Sequence, residues 1–213
     1  MRGDERFCTA CGVALPPAPA RTPGANAHTR AAPGFVYLAL GWALATAVAL
    51  GLASYISATL HFSSLLLDLS VTWAIVGGTQ VLVLKRVFSR HFLWFPVTLV
   101  GGVIGDYFAT AMSAGARPPL VYIVIMIGGG MTGLVQCLYL RKRVSGWWWW
   151  IAANSAAPAL QLFVVVNLPP GLVRDQANAL NAAAVGAILG LVLGAVTGLT
   201  MAVLRARTKP PLV

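Results

Sequence analysis

Charge is what this sequence has least of. Only 9% of its 213 residues are Asp, Glu, Lys or Arg, against about 25% in an ordinary soluble chain. A chain this long with so few charges cannot cover a water-facing surface, which excludes a soluble domain and most nucleic-acid-binding modules. Acids are scarcer still, with five Asp and Glu against 15 Lys and Arg for a net charge of +10. So few carboxylates cannot build a dense metal-dependent active site. The sequence also lacks a His-Glu-x-x-His pair, a phosphate-binding loop and a Gly-x-Ser-x-Gly elbow. An enzyme is therefore not expected.

What the chain has is apolar length, with 58% hydrophobic residues. Crossing about 30 Å of hydrocarbon takes roughly 20 residues of helix. Six stretches qualify: 35–55, 63–84, 93–114, 119–140, 148–168 and 183–204. They are apolar all round rather than striped, and none alternates as a membrane barrel strand would. In lipid the backbone must satisfy its own polar groups, so these stretches predict an all-α integral membrane protein of six transmembrane helices. Residues 15–34 are rich in Pro and Ala and read as a flexible linker. Residues 1–32 hold no apolar core of a signal peptide, so the first span is expected to act as its own insertion signal.

The cations supply an orientation. Thirteen of the 15 fall in four regions. These are the leader (Arg2, Arg6, Arg21, Arg30), the second connection (Lys85, Arg86, Arg90), the fourth (Arg141, Lys142, Arg143) and the tail 205–213 (Arg205, Arg207, Lys209). Only Arg117 and Arg174 lie in the other connections. Positive charge stays on the cytoplasmic side, so both termini are expected there. Trp94 and Trp147–Trp150 fall at the cytoplasmic ends of their spans, and Tyr55, Phe62, Tyr107 and Tyr122 towards the other face. That distribution reads as two interfacial aromatic belts.

Spans two and four end alike. Gly77-Gly78-Thr79-Gln80 runs on to Leu84-Lys85-Arg86 and then Trp94, and Gly133-Leu-Val-Gln136 to Leu140-Arg141-Lys142 and then Trp150. Span six gives a weaker third copy, Thr197-Gly198-Leu199-Thr200 to Leu204-Arg205, with Thr200 in the place of Gln. All three copies run in the same direction, so they predict parallel two-helix repeats. Gln80 and Gln136 fit interhelical hydrogen bonds, worth roughly 0.6 kcal/mol each. Gly186, Gly190, Gly194 and Gly198 recur every four residues, and Gly101 with Gly105 and Gly129 with Gly133 repeat the theme. Such stripes let helix backbones approach closely in lipid, within one chain or between two.

Few residues here can carry chemistry. Phe7-Cys8-Thr9-Ala10-Cys11-Gly12, followed by Leu15-Pro16, resembles one knuckle of the small zinc-ribbon modules at the ends of many bacterial membrane proteins. The resemblance covers residues 1–14 and implies thiolate ligands at Cys8 and Cys11. A structural zinc takes four ligands, and Arg21-Thr22-Pro23-Gly24 stands where the second knuckle would be. The Zn2+ would then be shared with a second chain or partner, or the knuckle is a remnant. A reducing compartment argues against a disulfide.

Asp68 and Asp106 are the only acids inside spans, both in the outer half of the hairpin formed by spans two and three. Intramembrane acids are candidate ion sites, here together with His61, Tyr107 and Gln161. The plainer alternative is hydration at the interface or pairing with Arg117. Asn154, Ser155, Pro158 and Gln161 make span five locally polar, and Pro158 can kink it.

The repeated Gln, Leu-x-Leu and cation, with Trp near Ala153-Asn154, is similar to a class of uncharacterised bacterial integral membrane proteins, over about residues 76–161. That resemblance implies a bacterial origin and no mechanism. The expected function is a scaffold, assembly or regulatory component of the membrane, with the bilayer and a second copy or another membrane protein as partners. The alternative is a small transporter or channel built on Asp68, Asp106 and Gln161.

Overall fold

A computed structural model describes residues 32–206 other than 86, 89, 176 and 177. The chain divides into two units, Met1–Ala32 and Pro33–Val213, and the helical bundle belongs to the second. Among the described residues every regular element is helical. The helices are α1 (Ala32–Leu60), α2 (Leu65–Leu84), α3 (Trp94–Ser113), α4 (Pro118–Leu140), α5 (Trp148–Asn167), α6 (Pro170–Arg174) and α7 (Ala179–Ala206). A 3-10 turn, His91–Leu93, leads into α3. All but the five-residue α6 are long and apolar enough to cross a membrane.

The helix limits follow from local chemistry. α1 continues to Leu60, beyond the expected residue 55, and the polar side chains of its last turns find partners. There Ser57 donates to Asp68, and Thr59 Oγ1 donates to the Tyr55 carbonyl at 2.8 Å. The left-handed His61 (φ 47°) then stops it. α4 begins on Pro118, whose fixed φ suits a first helical position, after the extended Arg117. α7 starts at Ala179, ahead of the expected residue 183, where the Asn178 side chain accepts the Leu180 N–H at 3.0 Å. Sequence patterning gave no sign of α6.

The six long helices form a closed antiparallel ring in which α7 returns to α1. α1 meets α2 through Gln80–Thr46, and α5 meets α7 through Gln161, whose Nε2 donates to the Leu189 carbonyl at 2.8 Å. The glycine stripe of α7 closes the ring. A Cβ at Gly190 would lie 2.7 Å from Ala47 Cα, one at Gly194 2.7 Å from Ala43 Cα, and one at Gly198 2.9 Å from the Ala39 carbonyl. The partner of this stripe is therefore α1 of the same chain. Gly101 likewise backs onto Thr132 and Val135, and Gly133 onto Ile151 and Asn154. Gly129 abuts the Asn154 carbonyl, the acceptor that Pro158, lacking an N–H, leaves without its helical donor.

Polar side chains lie among the apolar ones of the interior, and large apolar side chains cover much of the exterior. Thr46, Gln80, Thr98, Thr132, Gln136, Asn154 and Thr197 are buried, while Leu40, Leu44, Val48, Leu82, Ile104, Leu138 and Phe163 are exposed. An exterior of exposed Leu, Val, Ile and Phe on every long helix is what a hydrocarbon solvent selects and water does not.

Candidate functional site

The N-termini of α3 and α5 and the C-termini of α2, α4 and α7 gather at one end of the bundle. Lys85, Arg141 and Arg205 follow the last buried leucines there, so this is the basic end. At its centre three indoles meet edge to face: Trp42 with Trp94 at 5.6 Å, Trp42 with Trp150 at 5.9 Å and Trp94 with Trp150 at 5.6 Å between centroids. All three are at most 1% exposed. Leu84, Leu140 and Leu204, each at or near the end of its helix, join the same core.

Each indole is held by a hydrogen bond to a neighbouring helix. Trp94 Nε1 donates to Gln80 Oε1 at 2.9 Å, and Gln80 Nε2 donates to Thr46 Oγ1 at 3.3 Å. Trp150 Nε1 donates to Gln136 Oε1 at 2.8 Å, and Gln136 Nε2 donates to Thr98 Oγ1 at 3.1 Å. Trp42 Nε1 donates to Thr197 Oγ1 at 3.0 Å, whose own hydroxyl proton goes to the Leu193 carbonyl at 2.7 Å. Each indole thus ties its helix to the neighbouring one, and every indole N–H finds an acceptor out of reach of water. In low dielectric such a network is rigid and costly to break.

Two sequence expectations change here. Trp94 and Trp150 are core residues, not interfacial anchors, because each presents its N–H to a glutamine inside the bundle. Trp148 and Trp149 are half-exposed and stacked on each other at 4.1 Å. Thr200 does not take the glutamine's place. It bonds its own helix at the Val196 carbonyl (2.8 Å), and Thr197 receives Trp42 instead. Thr197, Met201 and Leu204 share the buried face of α7, and Thr200 is turned away from it.

Trp42, Thr46 and Thr98 were not singled out from the sequence. A signal was present: Trp42, Trp94 and Trp150 are each followed four residues later by a small polar residue, Thr46, Thr98 and Asn154. Four residues is one helical turn, which puts the polar side chain directly beneath the indole.

At the opposite end the two carboxylates part. Asp68, in the first turn of α2, accepts the Ser57 hydroxyl of α1. Asp106 of α3 accepts Trp73 Nε1 of α2 at 2.9 Å. Each ties a different helix pair, and neither bonds Arg117. Asp68 also lines a pocket of about 380 Å³ with Ser54, Ser57, Thr72, Val165 and Gly186, drawn from α1, α2, α5 and α7. Asp106 and Gln161 do not line it. Gln161 reaches only its backbone acceptor, Leu189, which is part of the pocket wall.

No protein-family model, curated protein or solved structure matches this chain. The geometry therefore has to carry the functional argument. Among the described residues no group of three or more His, Cys, Asp or Glu could hold a metal. Cys8 and Cys11 lie outside the described residues, as do Arg207 and Lys209. Cys137, by contrast, is buried and directs its thiol at the Trp147 carbonyl, 3.4 Å away.

Proposed function

We propose that this chain is a multi-pass protein of a bacterial plasma membrane, with both termini cytoplasmic, that serves as a static scaffold, assembly or regulatory component. The observation that carries this reading is the triangle of Trp42, Trp94 and Trp150, which closes the bundle axis at the basic end with every indole N–H bonded. A conducting path would have to break that network. Asp68 and Asp106 are both engaged in helix–helix bonds, on different helix pairs. The bias of 13 cations in four regions supports the orientation. The matching Trp–Gln–Thr bonds of α1–α3 and α3–α5 support parallel two-helix repeats. In the same reading Cys8 and Cys11 supply half of a zinc site that a second chain completes. Copurification from native membranes tests the scaffold role: a stoichiometric partner or a stable homo-oligomer supports it, and a monomer that binds nothing contradicts it.

The Asp68 pocket favours a second reading, a small transporter. A carboxylate beside the hydroxyls of Ser54, Ser57 and Thr72 is a reasonable seat for a small cation or polar solute. Flux in proteoliposomes that Asp68→Asn abolishes is the result that establishes it.

A further inference from the structure

A cleft on the lipid-facing side of the bundle belongs to neither feature above. It has a volume of about 840 Å³ and lies along α1 and α2, walled by Leu44, Val48, Leu82 and other apolar groups. Glycine opens it. A Cβ at Gly41 would meet only Val83 Cγ1, at 3.8 Å, and one at Gly34 would meet nothing within 4 Å. From Gly34 to Val48 the cleft follows α1 for fourteen residues, about 21 Å of helix. That exceeds the roughly 15 Å of hydrocarbon in one leaflet. An acyl chain fits this length, and the exposed apolar walls of the cleft already require a hydrocarbon solvent.

The charge at one end makes the cleft more than a generic lipid contact. Lys85, just past α2, and Arg205, in the last turn of α7, both line it at the basic end. They arrive from helices on either side of α1. Among the described residues no acid lines the cleft. The described acids are occupied elsewhere: Asp68 with Ser57, Asp106 with Trp73 and Asp175 with Asn181. Two cations converging at the mouth of an acyl-length apolar cleft match one anionic amphiphile, the phosphate at Lys85 and Arg205 and the chain against Gly41.

We propose that this cleft is a specific site for one anionic phospholipid. The inference rests on the membrane reading above. Each surface cation near an anionic headgroup contributes about five- to sixfold in binding, so the pair should give roughly 30-fold selectivity over a zwitterionic lipid. The test is native mass spectrometry of the full chain released from nanodiscs of equal phosphatidylglycerol and phosphatidylcholine. The wild type should retain one phosphatidylglycerol. K85Q/R205Q should lower the retained ratio about 30-fold, whereas R141Q/K142Q, at the same end but outside the cleft, should leave it unchanged. Gly41→Leu should reduce retention of both lipids, because it fills the apolar part without touching charge. Millimolar inorganic phosphate should not displace the lipid.

Several results would overturn the site. One is an unchanged ratio in K85Q/R205Q. Another is loss of the lipid to free phosphate, which would leave only an anion contact. A third is retention indifferent to headgroup. Chain that inserts into the nanodiscs and shows no preference overturns the lipid site and leaves the membrane reading standing. Chain that does not insert at all overturns both.

Discussion

Trp150 Nε1 donates to Gln136 Oε1 at 2.8 Å across fourteen residues of sequence, and Trp94 Nε1 to Gln80 Oε1 at 2.9 Å across the same fourteen. The two bonds clamp α4 to α5 and α2 to α3 at the same depth, and each glutamine then reaches one helix further back. In a medium with no water to substitute, a buried donor left unpaired costs about 1–3 kcal/mol, more than the bond itself contributes. The network's importance therefore lies in what its disruption costs.

Gln136→Leu strands both the Trp150 N–H and the Thr98 hydroxyl. It should destabilise the bundle by about 1–3 kcal/mol. Trp150→Phe removes the donor and part of the triangle's edge-to-face packing, each such aromatic pair contributing about 0.5–1.5 kcal/mol. The double variant should cost less than the sum, with a coupling of at least about 0.5 kcal/mol in a double-mutant cycle. Reversible unfolding in mixed micelles checks this, and strict additivity would mean that the bond contributes nothing.

Glycines at close contacts and glycines facing outward should behave oppositely. Gly190→Ala puts a methyl 2.7 Å from Ala47 Cα and must push α7 off α1, a loss of about 1–3 kcal/mol. Gly78→Ala meets nothing within 4 Å and should be neutral or gain up to about 1 kcal/mol from helix propensity. Thermal midpoints of the two variants, measured in the same detergent, decide it.

Asp106→Leu leaves Trp73 Nε1 without its acceptor and should cost about 1–3 kcal/mol. Asp106→Asn keeps a side-chain oxygen for the indole and should recover most of that loss. The same unfolding assay separates them. Equal losses would show that the charge, not the hydrogen bond, is what matters at this position.

Metal analysis tests the amino-terminal knuckle. Purified full-length chain should carry one zinc per two chains or per chain–partner pair, and Cys8→Ser should remove it. Protein without zinc, unchanged by Cys8→Ser, eliminates the site.

The six long helices were legible in the sequence because each is long and apolar enough to cross a membrane, and a hydropathy window registers both properties. Their ends were less legible. Ser57–Asp68 and the Asn178 cap extend α1 and α7 by contacts that a hydropathy window does not register. The glutamines stood out as polar residues in apolar runs. Trp42, Thr46 and Thr98 did not, since a single tryptophan or threonine within an apolar run carries no mark of its burial until its neighbours are known. The division of Asp68 and Asp106 between two helix pairs was equally hidden. Depth along a span can be counted from sequence, but the direction in which a side chain points around the helix depends on packing.

Flux through sealed proteoliposomes tests the closed, static bundle most directly. With wild-type protein, permeability to Na+, K+ and H+ should equal that of protein-free vesicles, and Asp68→Asn should change nothing. A flux above that background that Asp68→Asn abolishes would contradict a bundle locked by Trp42, Trp94 and Trp150.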